Sequence, residues 1–249
     1  MAKYFKATII NDLYLTPMIQ EYMMFDTPKI LSSVHLKIIA SISMLIDHIC
    51  AVFFSYSQTA VMIRLTVGRI AMPVYVFLLC EGFFYTHNRK KYGLSLFITA
   101  LISEPIYSAA LYGSPWELSH QNVCFTLLAG FLMLCAMNEL ALKNRQIFHL
   151  PVIALFCLAA YFLHFSYDYS AILAFAALYY LHWHKNCIKG LSSGAVIAVF
   201  ENTPGAFLAA VPLSLYSDKR GRITTAVKYL FYAFYPAHLL ALYVIKTLI

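Results

Sequence analysis

An aspartate and a histidine stand side by side at Asp47 and His48 in the middle of an otherwise apolar run, and His238 sits at similar depth in another. Between them in the chain come Arg64, Arg69 and Glu81, then Glu104 immediately before Pro105. Ionisable groups inside a membrane span cost a few kcal/mol each on insertion scales, so such a set must pair internally or line a polar cavity. The proline frees backbone groups and can bend its helix, turning the Glu104 carboxylate into a bundle. Sequence neighbours project about 100° apart on a helix, so Asp47 and His48 cannot form a side-by-side pair and each needs partners on other helices. The candidates are Arg69, Glu104 and His238. Such a constellation supplies a histidine base oriented by a carboxylate, with an arginine to hold an anionic group. The competing reading is a buried charge network that only locks helices together.

The elements that must position these residues are helices. The chain has 249 residues, 61% hydrophobic and 12% charged, with a mean hydropathy of +0.71. No single water-soluble core could hide that much apolar surface. Apolar runs of about 20 residues, enough to cross a ~30 Å hydrocarbon layer, recur along the sequence. A β-barrel would need short segments alternating in polarity, whereas Leu127 to Met137 is apolar on every side. The expected fold is an all-α polytopic transmembrane bundle of about nine spans, within a range of eight to ten. The spans are placed near 35–56, 61–86, 93–112, 122–141, 150–166, 168–184, 189–201, 204–216 and 227–247. The short pair near 189–216, broken at Glu201 to Gly205, can also be read as two half-spanning helices. Residues 1–33 form a cytoplasmic N-terminal segment without a signal-peptide pattern, in which Tyr14 to Met24 is amphipathic enough for an interfacial helix, and residues 34–249 form one domain.

The formal charge of +7 does not indicate a nucleic-acid partner, because the basic residues fall in short connectors and form no stripe. They alternate by connector: Lys3, Lys6, Lys29 and Lys37, then Arg89 to Lys91, Lys143 and Arg145, Lys185 and Lys189, and Lys219 to Arg222. The opposite connectors carry Glu117, Asp168 and Glu201. The positive-inside rule then puts the N-terminus in the cytoplasm and the C-terminus outside. The six cysteines have neither metal-ligand nor disulfide spacing, and His182 and His184 lack further ligands nearby, so no metal is expected. The many tyrosines read by default as interfacial belts.

Several motifs in order give the chain a resemblance. They read LKIIASISMLIDHI from Leu36, VGRIAMPVYVFLLCEGFFYTHNRKKY from Val67 and ISEPIY from Ile102. NVCFT from Asn122, Asp168-Tyr169, LSLYSDKRGR and KYLFYAFYPAHLLAL follow. Together they resemble the TraX membrane proteins, whose namesake is associated with N-terminal acetylation of a conjugative pilin subunit. The likeness covers roughly residues 35–247, with Met72 where phenylalanine is expected before the proline. The resemblance implies a transmembrane acyltransferase using cytosolic acetyl-CoA, in a bacterial cytoplasmic (inner) membrane. It carries over Asp47, His48, Arg69, Glu81, Glu104, Asp168 and His238 as site positions.

The expected mechanism brings acetyl-CoA from the cytoplasm, its phosphates held by Arg89, Lys90, Lys91, Arg220, Arg222 and Lys228. His48 or His238 then deprotonates an acceptor amine or hydroxyl on a pilin-like peptide, a glycan or a lipid. Arg69 or Asn122 stabilises the oxyanion, and Asp47 and Glu104 orient the imidazole. Two other classes stay open: a proton-coupled small-solute transporter, against which the absence of a visible internal repeat argues, and a noncatalytic membrane assembly factor.

Overall fold

A computed structural model of the chain describes residues 28–117, 119–219, 221 and 224–248. The tail segment expected over the first residues, including Tyr14 to Met24, lies outside them, as do Arg220 and Arg222.

The first helix, α1 (Ser33–Phe53), starts where His35 folds back so that its Nδ1 accepts the Ser32 N–H at 3.1 Å, satisfying an orphan donor at the helix entry. After a short connector, α2 (Gln58–Thr66), a 3₁₀ turn (Gly68–Ile70) and α3 (Ala71–Tyr85) run on as one 28-residue apolar stretch. Asn88 caps α4 (Arg89–Tyr112) by accepting the Lys91 N–H at 2.8 Å, and Gly113 ends that helix at φ +79°, a conformation glycine adopts without steric cost. α5 (Val123–Leu142) is capped by Asn122. α6 (His149–Phe162), α7 (Asp168–Tyr180) and α8 (Asn186–Phe200) follow, then a 3₁₀ segment (Pro204–Ala209) continuous with α9 (Ala210–Ser214), and finally α10 (Thr225–Leu248).

All regular structure among the described residues is helical. Among the described residues, five helices are long and apolar enough to cross a membrane: α1, the α2–α3 stretch, α4, α5 and α10. The segments expected as spans near 150–166, 168–184, 189–201 and 204–216 form shorter helices. The 13 residues of α7 rise only about 20 Å, less than a ~30 Å hydrocarbon layer. These short helices pack on one another and on α3 and α5, and α7 supplies Ile172, Ala174, Phe175 and Leu178 to the core.

Small residues make that packing possible. Gly190 and Gly194 lie on the face of α8 that meets the 3₁₀ segment and α9; a Cβ on Gly194 would come 2.8 Å from the Ala206 carbonyl, and one on Gly190 2.8 Å from Leu213 Cβ. Small residues four apart let helix backbones approach closely.

The connectors gather at two ends. At one, Leu31 pairs with Tyr216, and Lys29, Glu81, Tyr85, His182, Lys185, Lys189 and Asp218 meet. At the other, Gln121 pairs with Phe165, and Glu201 joins the same region.

Candidate functional site

A cavity of about 420 Å³ is sunk into the second end, walled by α1, the turn before α3, α4 and α10 and closed by the connectors that carry His120, Tyr167 and Glu201. Asp47, His48, Arg64 and Arg69 all line it. Its volume falls in the range of small-molecule sites, and its convergent charged and hydroxyl groups are rare inside an apolar bundle.

Local sequence explains how the charges come together. The 3₁₀ turn lies close against α1, where Ser43 Oγ donates to the carbonyls of Val67 at 2.6 Å and Gly68 at 3.2 Å. Gly68 allows this approach, since a Cβ there would sit 2.6 Å from Asp47 Oδ1. One turn away, Arg64 Nε lies 3.4 Å from Asp47 Oδ1 as a loose ion pair. Arg69 reaches across to Tyr167, donating to its hydroxyl at 3.0 Å with the guanidinium carbon 5.4 Å from the ring centre. Among the described residues, neither the Nε of Arg64 nor that of Arg69 has a hydrogen-bond partner. These two arginines can therefore take up a ligand anion without breaking a close hydrogen bond of those atoms.

The two histidines meet. His48 Nδ1 and His238 Nε2 are 2.7 Å apart, with the rings 5.0 Å between centres and 19° from parallel. His238 Nδ1 is in turn 2.7 Å from the Phe234 carbonyl, one turn back on α10, and Phe234 stacks on the His238 ring at 4.8 Å. Of the three partners expected for His48, His238 makes the contact, and the carboxylates go elsewhere. Asp47 faces Arg64, while Glu104 Oε2 accepts from both the backbone N–H and the side-chain amide of Asn122, at 3.0 and 2.5 Å. Asn122 also donates to the Ala100 carbonyl at 2.9 Å and accepts from Cys124 N–H, so its amide hydrogens tie it to α4 while its side-chain oxygen caps α5. Asn122 does not line the cavity, whereas both arginines do.

Glu81 stands apart from this group. It lies at the opposite end of the bundle, where Lys189 Nζ donates to it at 2.8 Å and His182 Nδ1 approaches to 3.4 Å. All three are buried. Asp168 opens α7 in a positive-φ backbone at the cavity end and does not line the cavity. In the basic connector, Arg89 lies over the Phe83 ring at 4.1 Å, and Lys90 and Lys91 share the first turn of α4 with it. Lys228 is half-buried near the start of α10, at the same end.

Sequence reasoning passed over several residues of the site. By type and position Arg64 reads only as a buried charge. Tyr75, Tyr107, Tyr112, Tyr167 and Tyr235 line the cavity rather than forming a belt, and Glu201 faces inward, accepting from Ser170 Oγ at 2.6 Å. A signal was available for Arg64: it lies five residues before Arg69 in one apolar stretch, where a charge needs a partner such as Asp47.

A helical bundle with long apolar spans and a cavity of ionisable residues within it defines a polytopic integral membrane protein with an internal polar site. The family model described as TraX protein matches residues 32–246, and the chain belongs to that family. A relative described as the probable fimbrial assembly protein FimC, serogroup H1, from Dichelobacter nodosus is 28% identical over 237 residues, spanning 84% of this chain and 93% of that protein. No solved structure matches the chain.

Proposed function

We propose that this protein is a transmembrane acetyltransferase that moves an acetyl group from cytosolic acetyl-CoA to an amine or hydroxyl acceptor. The observation that carries the reading is the hydrogen-bonded pair of His48 and His238 on a 420 Å³ cavity that also presents Arg64 and Arg69. A histidine base and a guanidinium beside it are the groups acyl transfer requires, one to take the proton of the nucleophile and one to stabilise the oxyanion of the tetrahedral intermediate.

The lysine-rich end faces the cytoplasm of a bacterial inner membrane by the positive-inside rule, with the N-terminus inside and the C-terminus outside. Acetyl-CoA docks there, its phosphates against Arg89, Lys90 and Lys91 and against Arg220, Arg222 and Lys228. Its long pantetheine arm carries the thioester inward by about 15 Å, the helical rise from Lys37 to Asp47. The acceptor enters the cavity from the opposite side. The fimbrial assembly role in the relative's description supports a pilus-subunit peptide as acceptor, alongside glycan and lipid amines or hydroxyls.

Acetyl-CoA binding by calorimetry to detergent-purified protein tests the reading, with wild type beside Arg69→Ala and the triple Arg89, Lys90, Lys91→Ala variant. Saturable binding weakened by the triple change supports it. Well-folded protein that binds no acetyl-CoA overturns it in favour of a noncatalytic assembly factor or a transporter.

A further inference from the structure

We infer that His48 is the general base of the site, through its Nε2, and that His238 is a positioning residue that fixes the tautomer of His48. The inference rests on the acetyltransferase reading for its chemical step, but its geometry stands independently.

Protons are ordered along a chain of three groups. The Phe234 carbonyl can only accept, so His238 Nδ1, 2.7 Å away, carries a hydrogen and donates it. In a neutral imidazole one nitrogen is a donor and the other an acceptor, so His238 Nε2 bears a lone pair. His48 Nδ1 lies 2.7 Å from that lone pair and must donate to it. The same rule then leaves Nε2 of His48 with a free lone pair, on a ring that lines the cavity. His238 is buried, at 7% exposure, and has no free lone pair to offer a substrate.

Reversing the central bond would require His238 to carry hydrogens on both nitrogens as a cation. Among the described residues neither ring forms an ion pair with a carboxylate, and Arg64 lines the same cavity. A buried cation without a carboxylate partner is costly, so the neutral arrangement prevails. The Phe234 carbonyl and His238 thus do for His48 what a carboxylate does in a catalytic triad, which is to hold one tautomer and orient the ring.

The chemical step balances. His48 Nε2 takes a proton from the acceptor amine or hydroxyl as its nitrogen or oxygen bonds to the acetyl carbon. The carbon–sulfur bond breaks, and the proton on Nε2 passes to the departing thiolate, giving the acetylated acceptor and free CoA thiol.

The test is a two-bond nitrogen–proton correlation spectrum of protein labelled with ¹⁵N-histidine in detergent micelles near pH 7. His48→Gln and His238→Gln variants assign the two rings. Both rings should be neutral, with Nδ1 protonated and Nε2 bare, the opposite of the tautomer a free imidazole side chain favours. A His48 ring protonated at Nε2, or an imidazolium at either position, overturns the inference whether or not the protein transfers acetyl groups. The expected tautomers in a protein that binds no acetyl-CoA would leave the geometry standing and sink the acetyltransferase reading instead. In an acetyl-transfer assay, His48→Gln should lower kcat by about 10²- to 10⁴-fold, the usual contribution of a general base. His238→Gln, whose amide oxygen can still accept from His48 Nδ1, should cost less than His238→Leu, with KM unchanged in both. A larger loss from His238→Gln than from His48→Gln would assign the base to His238.

Discussion

Lys189 and Glu81 meet at 2.8 Å with both residues buried, at the end of the bundle away from the histidine pair. They join α8 to α3, and the Lys189 ammonium also lies 5.1 Å from the centre of the Phe77 ring. The glutamate sits in a motif that also supplies Arg69 to the cavity, yet it is held by its own partners elsewhere.

A buried ion pair is costly to break from one side, because the remaining charge is left uncompensated, at about 3–5 kcal/mol. Lys189→Met should therefore lower the thermal midpoint sharply in detergent, and Glu81→Gln combined with Lys189→Met should recover most of the loss. If the protein transfers acetyl groups, a double variant that melts like wild type but has lost that activity would instead place Glu81 in the chemistry.

Gly68 lets the turn before α3 pack closely against α1. Gly68→Ala puts a Cβ 2.6 Å from Asp47 Oδ1 and forces α1 or the turn to shift. Overpacking of this kind costs about 1–3 kcal/mol. The expected result is a lowered thermal midpoint together with weakened function, since the displaced residue is the partner of Arg64. Wild-type stability and activity in Gly68→Ala would show that the turn is free to move.

Much of the architecture was legible because the bilayer constrains sequence strongly: apolar length and the alternation of basic connectors locate the elements without knowledge of their contacts. The length of the later helices was not legible. Hydropathy records how apolar a segment is, whereas helix ends here are set by Tyr167 and Asn202 at positive φ and by the 3₁₀ geometry after Pro204. In the site, type and depth pointed to His48 and His238, but not to which atoms would meet. The expectation that carboxylates orient the imidazole missed because Asp47 and Glu104 each have nearer partners, Arg64 on α2 and the cap residue Asn122. Partner choice depends on helix rotation, which no single span encodes.

Asp218 provides a pH test outside the spans. Partial burial by itself would raise its carboxyl, but hydrogen bonds from Asn186 and Lys29, with the charges of Lys29 and Lys189, outweigh burial and hold it below the ordinary aspartate value. A folded value below the unfolded one, about 3.9, contributes stability that is present above that pH and is lost as pH falls through the folded value. The side chain is 45% exposed, so solvent screening keeps the contribution small. Asp218→Asn should melt below wild type at pH 6, and the gap should close as the pH is lowered past about 4. A gap that stays constant down to pH 3 would sink the assignment.

Arg69 tests the cavity itself. Its guanidinium donates to the Tyr167 hydroxyl at 3.0 Å while lying against the ring, and its Nε has no hydrogen-bond partner among the described residues. A lysine keeps the charge but loses the planar fork, so it cannot hold Tyr167 and face a ligand oxygen at the same time. If Arg69 stabilises an oxyanion, Arg69→Lys should lower kcat by about 10²- to 10³-fold, the usual loss for one such donor, with KM for acetyl-CoA little changed. Tyr167→Phe removes only the hydroxyl that orients the guanidinium and should cost much less. Equal losses in the two variants, accompanied by equal drops in thermal midpoint, would mean that the pair braces the connector between α6 and α7 rather than serving the reaction.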